Sequence, residues 1–242
     1  MNEQKHWEIL EKGLRNLKID FNDQIARSFL RYLELLMQTN KEFNLTSITD
    51  PEEAIYKHFI DSLTVIPFLP EQDNAQIIDI GTGAGFPGIP VKIINPNLKV
   101  TLVDSTKKKV NFLKIICDEL ELKDIECLHA RAEELARNTK HREIYDIALS
   151  RALAPLNLLL EFCLPFVKVG GTFIAYKSKE ACNEIKKAGR ALELLGGRIL
   201  DVKKLEVPGI EGERNLIFIK KITSISSAYP RRPGIPQKRP IE

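Results

Sequence analysis

Asp79, Gly81, Gly83 and Gly85 occupy alternate positions in IIDIGTGAGFPG, residues 77–88, where an apolar run gives way to glycine-rich backbone. Glycines at every second place after an acid let the main chain approach a ligand closely, and the helix-like segment that follows favours a nucleotide-derived one. A dinucleotide fingerprint, G-x-G-x-x-G, needs a small third residue for helix–strand packing, and Phe86 stands there instead. That departure weighs against NAD and FAD and favours a ligand without a pyrophosphate.

Asp104 closes the next β-rich run, KVTLVD, where a carboxylate can accept hydrogen bonds from both hydroxyls of a ribose. Ala132 and Glu133, in ARAEEL, follow the third such run, where a strand-end loop would meet a purine. Singly, each acid reads as a helix cap or a solvated side chain. Their succession, glycine loop then acid then acid at successive strand ends, points to nucleoside binding and, without a pyrophosphate, to S-adenosylmethionine (AdoMet).

The elements that must hold these residues follow from periodicity. From residue 76, short β-rich runs alternate with helical ones, the pattern of a parallel sheet with crossover helices. Strands are predicted at 76–80, 99–104, 125–129, 145–150 and 171–176, with helices at 87–94, 106–119, 132–138, 154–167 and 180–195. Two further strands, 198–207 and 214–223, follow one another directly and predict a hairpin, hence an antiparallel strand at or near one sheet edge. Residues 1–70 read as helical. Phe21, Ile25, Phe29, Leu33, Leu36 and Met37 recur near helical spacing after Asp20 or Asn22 as cap. TDPEEAIYKHFIDSL opens on a cap residue, Pro51, Glu52 and Glu53, a strong helix start. The predicted fold is α/β: a seven-stranded Rossmann-like sheet with an antiparallel last strand, a helical region at 1–70, a sheet domain at 71–225 and a tail at 226–242.

With 242 residues, 43% of them hydrophobic, the chain can bury a sizeable core. Its first twenty residues carry charges throughout, and LAPLNLLLEFCLPFV is broken by Pro155, Asn157, Glu161 and Pro165, so a cytoplasmic protein without a membrane span is expected. Cys117, Cys127, Cys163 and Cys182 form no CxxC pair, so neither a metal site nor a disulfide framework is expected. Charge concentrates at the end: PRRPGIPQKRPIE carries Arg231, Arg232, Lys238 and Arg239 against one acid. Proline rules out a core helix or central strand there, which leaves a disordered end or an arm that touches something anionic.

NLTSITDPEEAIYKHFIDSL, IIDIGTGAGFPGIP, HARAEE, LSRALAPL and YPRRPGIPQKRP together resemble the bacterial ribosomal RNA small subunit methyltransferase G family, also called glucose-inhibited division protein B. The resemblance runs from about residue 40 to residue 240. It implies a helical amino-terminal part on a class I methyltransferase sheet, and methylation of N7 of one guanine in a hairpin loop of 16S rRNA. It further implies that Gly81 and Phe86 line the cofactor and that Asp104, Ser105 and Thr106 surround its ribose. Ala132 and Glu133 would face adenine, and Arg151 would stand beside the methyl donor. Thr82 and Ser178 depart from the Ser and Gly that family members often carry there.

N7 of guanine has a free lone pair and no proton to lose, so its attack needs alignment more than a base. No general base is therefore expected, and SRALAPL stands where exocyclic-amine methylases carry an Asn/Asp-Pro-Pro-aromatic motif. Arg151 is expected to orient substrate or cofactor; its alternative is a structural ion pair. His58 is read as packing, with Lys57 and Asp61 as an i,i+4 pair around it, and Lys107–Lys109 as a solvated helix face. Phosphate contacts are assigned to Lys177, Arg231, Arg232, Lys238 and Arg239, with Arg214 as a further candidate. The expected partner is 16S rRNA or the small ribosomal subunit, approached by a monomer. A methyltransferase of another substrate and a non-catalytic RNA-binding or ribosome-assembly module remain open beside this reading, and an NAD-dependent oxidoreductase ranks last.

Overall fold

The computed structural model describes residues 2–70, 73–207 and 209–242; Met1, Glu71, Gln72 and Pro208 lie outside the described residues, so the first residue of the expected sheet domain, 71, is not placed. Seven strands, β1 (Gln76–Ile80), β2 (Lys99–Asp104), β3 (Ile125–His129), β4 (Tyr145–Arg151), β5 (Val167–Lys177), β6 (Gly197–Leu205) and β7 (Arg214–Lys221), form one sheet in the order β3-β2-β1-β4-β5-β7-β6. Only β7 runs against its neighbours, between β5 and β6, as the helix-free connection before it predicted. The chain winds one way from β1 through β2 to β3 and the other way from β4 to β5, so a switch point opens at the carboxyl ends of β1 and β4. Both IIDIGTGAG and SRALAP leave the sheet there.

Apolar side chains cover both faces. On one, Ile77, Val100, Leu102 and Phe112 join Leu10, Leu14, Phe29, Leu33 and Phe59 in a single cluster, so the amino-terminal helices bury their stripe against the sheet. Asn22, not Asp20, caps Asp23–Phe43: its side chain accepts from the Ile25 N–H at 2.9 Å. Asp50 accepts from the Glu53 N–H at 2.8 Å and starts a continuous helical stretch. That stretch is α-helical over Pro51–Ala54, π-helical over Ile55–Ile60 and α-helical again over Asp61–Leu63. No spacing rule predicts the wider turn, which carries His58 and delivers Asp61 to the sheet.

Other boundaries move for local reasons. The predicted helix at 154–167 ends at Cys163, because Pro165 has no N–H with which to continue the hydrogen-bond ladder. β5 starts four residues early at Val167, opposite Tyr145, with an irregularity before Ile147. The segment 180–195 divides into Ala181–Lys187 and Gly189–Leu194. Among the described residues no helix is long and apolar enough to cross a membrane.

The basic tail is folded, which corrects the expectation of a loose end or arm. Arg142 donates to the Tyr229 and Ile225 carbonyls, Arg137 to the Pro230 carbonyl, and Asn157 to the Ile241 carbonyl. Proline fails as a core element but does not prevent a backbone from docking through its carbonyls.

Candidate active site

The glycine loop is built around a buried carboxylate. Asp79 Oδ2 accepts from the Thr82 hydroxyl at 2.6 Å and from the Gly88 N–H at 2.8 Å. Burial pushes its pKa up to about 6, against these two hydrogen bonds. Asp79 therefore bends the loop from below. Gly88 does what the third fingerprint glycine does. A Cβ there would lie 2.3 Å from Leu102 Cδ2 and 2.9 Å from Asp79 Oδ2.

Gly85 and Phe86 pack against the amino-terminal helices. Gly85 has φ +106°, and a Cβ would meet Tyr32 Oη at 2.4 Å. Tyr32 donates to the Ala84 carbonyl at 2.5 Å. The Phe86 ring lies between Tyr32, 5.4 Å away and 13° off parallel, and His58, at 4.5 Å and 11°. These three rings clamp the loop from behind.

The ligand side is a cavity of about 120 Å³ lined by Gly81, Asp104, Ser105, Ala132 and Glu133, with Phe162, Leu153 and Gln237 closing it. Gly81, at φ +71°, starts the turn, and its N–H donates to the Val103 carbonyl at 2.9 Å. Asp104 Oδ2 accepts from the Gly83 N–H at 3.0 Å and Oδ1 from the Thr106 N–H at 2.8 Å, so Gly83 and Thr106 shape the acid without lining the cavity. Each Asp104 oxygen keeps a lone pair for a hydroxyl. Glu133 is buried, and its Oε1 has no hydrogen-bond partner among the described residues. An orphaned buried acceptor beside a half-satisfied acid fits a ligand that brings hydroxyls and an amine.

A second cleft, about 590 Å³, opens between β4, β5 and the π-helical stretch. Leu153 is the partition between the two: it lines both, and its methyls stand 2.7 Å from the place of a Gly81 Cβ. Arg151 enters from β4. Its Nη1 donates to Asp61 Oδ2 at 2.7 Å and to the Lys57 carbonyl at 2.8 Å, and its guanidinium lies 5.3 Å over the Phe86 ring. Arg151 is thus bound in an ion pair, and Asp61 does not pair with Lys57, which turns back to Glu53. Arg214 Nε adds a second positive neighbour to Asp61 at 3.3 Å. Lys177 bonds Glu184 at 2.6 Å and the Ala154 carbonyl, and its side chain is 8% exposed, so it latches two segments and offers little to phosphate. Arg231 is similarly spent on Glu161, at 2.7 Å. Arg232, Lys238 and Arg239 are exposed and have no ion pair among the described residues.

His58 is tied at both nitrogens, Nδ1 lying 3.3 Å from Arg151 Nη2 and Nε2 2.8 Å from Thr46 Oγ1. Because Arg151 can only donate, Nδ1 accepts and the ring is neutral with its proton on Nε2. Burial, then Arg151, lower its pKa to about 3 from 6.5. A depressed histidine contributes stability that is complete above pH 6.5 and is lost as pH falls toward 3. Asp79, with a raised pKa, partly offsets that loss between about 6 and 4 as it takes up a proton. His58→Gln is expected to be less acid-sensitive than the wild type, by on the order of 2 kcal/mol after discounting for partial exposure. Calorimetric Tm values from pH 7 to pH 4 check this; parallel curves would disprove it.

The family model described as rRNA small subunit methyltransferase G matches residues 25–217. The chain belongs to that family. The rRNA small subunit methyltransferase G of Clostridium botulinum (strain Loch Maree / Type A3) is 46% identical over 234 residues, 97% of this chain and 98% of that one. That of Clostridium novyi (strain NT) is 44% identical over 242 residues, the whole of both. A SAM-dependent methyltransferase from Aquifex aeolicus shares the fold at TM-score 0.54 and 19% identity, covering 74% of this chain and 97% of its own. M. jannaschii TYW2, solved in complex with AdoMet, does so at TM-score 0.51 and 13% identity, covering 69% and 77%. Membership makes the chain an AdoMet-dependent rRNA methyltransferase with a class I sheet. Sequence reasoning missed Tyr32, Gly88, Leu153 and Gln237 and gave Asp61 the wrong partner. All but Tyr32 stood within quoted motifs, but nothing in their spacing names the atoms they meet.

Proposed function

We propose that this methyltransferase acts on N7 of one guanine in 16S rRNA, as a cytoplasmic monomer on the RNA or on the small subunit. The supporting observation is that the ionisable groups around the second cleft are already engaged. Arg151 and Arg214 serve Asp61, Lys177 and the Leu156 N–H serve Glu184, and Lys57 holds Glu53. Tyr176 donates to the Ser62 carbonyl at 2.7 Å, and burial holds its proton on. His58, neutral with a pKa near 3, is a poor proton acceptor. A cleft of this kind suits a nucleophile that arrives with a lone pair and no proton to give up, as N7 does.

The assignment of residues follows the geometry. Asp104 would hold the ribose hydroxyls and Glu133 the adenine amine, with Ala132 and Ser105 as walls and Gly81 allowing close backbone approach. When bound, AdoMet supplies a methyl group on a positively charged sulfur. The chain's share is alignment, worth roughly 7–11 kcal/mol in favourable cases. Arg151 and the ring stack hold the loop in place, and Leu153 stands at the partition between the two sites. In RNA the target must be splayed from any helix, because an A-form major groove hides N7. Exposed Arg232, Lys238 and Arg239 are available for its phosphates.

Labelled AdoMet with 16S rRNA or small subunits, followed by mapping of the product, tests the reading. Label confined to N7 of a single guanine is expected. Label on an exocyclic amine, or none from folded protein, would overturn it.

A further inference from the structure

The tail is tied down by a buried acid. Glu161, on Leu156–Cys163, has a side chain 1% exposed and accepts three N–H groups of Arg231: the backbone N–H at 2.8 Å, Nε at 2.9 Å and Nη2 at 2.7 Å. A buried carboxylate stripped of its cation is strongly destabilising, so the chain cannot release Arg231 to reach for RNA at little cost. Three residues on, Gly234 at φ +82° opens the short helix Ile235–Lys238. Pro236 is buried within it, and Gln237 next to it lines the nucleoside cavity opposite Gly81, Asp104 and Glu133. Its carboxamide carries donors and an acceptor, which suits the edge of a purine or a ribose hydroxyl.

We propose that the docked tail is the outer wall of the cofactor pocket, with Gln237 contacting the nucleoside and the Arg231–Glu161 pair positioning it. This rests on the AdoMet reading of the cavity. The sequence assigns Arg231 to RNA; the geometry assigns Arg231 and Gln237 to the cofactor side.

Calorimetric titration of AdoMet into the full chain and into Gln237→Ala tests the contact. Gln237 is exposed to solvent, so its truncation leaves the fold intact, and the Kd for AdoMet is expected to rise about fivefold to tenfold. Arg231→Ala is expected to raise it further and Arg231→Lys to restore part of the loss, while KM for rRNA stays within about twofold in Gln237→Ala. Wild-type binding with an unchanged Kd in Gln237→Ala overturns the wall and leaves the AdoMet reading standing. An unchanged Kd for AdoMet with a raised, salt-steepened KM for rRNA would return the tail to an RNA arm. A wild-type chain that takes up no AdoMet overturns the underlying reading instead.

Discussion

Asp61→Ala is expected to cost about 3–5 kcal/mol of unfolding free energy, a large share of what holds a domain of this size together. Asp61 is the carboxylate partner of Arg151, at 2.7 Å, and its side chain is 9% exposed against 11% for the arginine. Removal leaves a guanidinium in the cleft wall with the Lys57 carbonyl and a neutral imidazole, neither of which carries the missing charge. The amino-terminal helices would lose the one ion pair that ties them to β4 among the described residues, and the Phe86 stack beneath Arg151 would loosen with it. Urea unfolding of Asp61→Ala, Arg151→Met and the double variant measures the coupling. The double variant is expected to be more stable than the sum of the singles implies, because it removes the more deeply buried of the two guanidinium groups that Asp61 serves. A cost under about 1 kcal/mol for Asp61→Ala would mean the pair behaves as a surface one.

What sequence could and could not convey divides along a physical line. Period-two and period-3.6 hydrophobicity reports which face is buried, so β1, β2 and β3 appear with the same ends in sequence and structure. The antiparallel strand was legible because a direct connection cannot make a parallel neighbour. Side-chain partners are another matter. Lys57, His58 and Asp61 sit at spacings that suggest a local pair, yet the π-helical turn hands Asp61 to an arginine ninety residues away in the chain. Phe86 reads as a loop residue in sequence, and only the structure shows its ring stacked between Tyr32 and His58. Charge misled most at the tail: Arg231 counts as a free cation until the buried Glu161 is seen beneath it.

Asp104→Ala should show the opposite balance, a large loss of binding with a smaller loss of stability. Its two oxygens already accept the Gly83 and Thr106 amides, at 3.0 and 2.8 Å, and their remaining lone pairs face the cavity. Two hydrogen bonds to a charged acceptor are worth about 1.5–3 kcal/mol each, which predicts that AdoMet affinity falls by about 10² to 10⁴. The freed amides are near enough to solvent to find water, so the expected stability loss is about 1–2 kcal/mol. Asp104→Asn keeps one acceptor and should fall between the two. Asp79→Asn serves as the contrast, since that acid lies under the loop and acts on its curvature; its main effect should be on how stability varies with pH between about 4 and 6. Calorimetric Kd beside Tm for each variant separates the cases. An Asp104→Ala protein that binds AdoMet as tightly as the wild type would show that β2 does not hold the ribose.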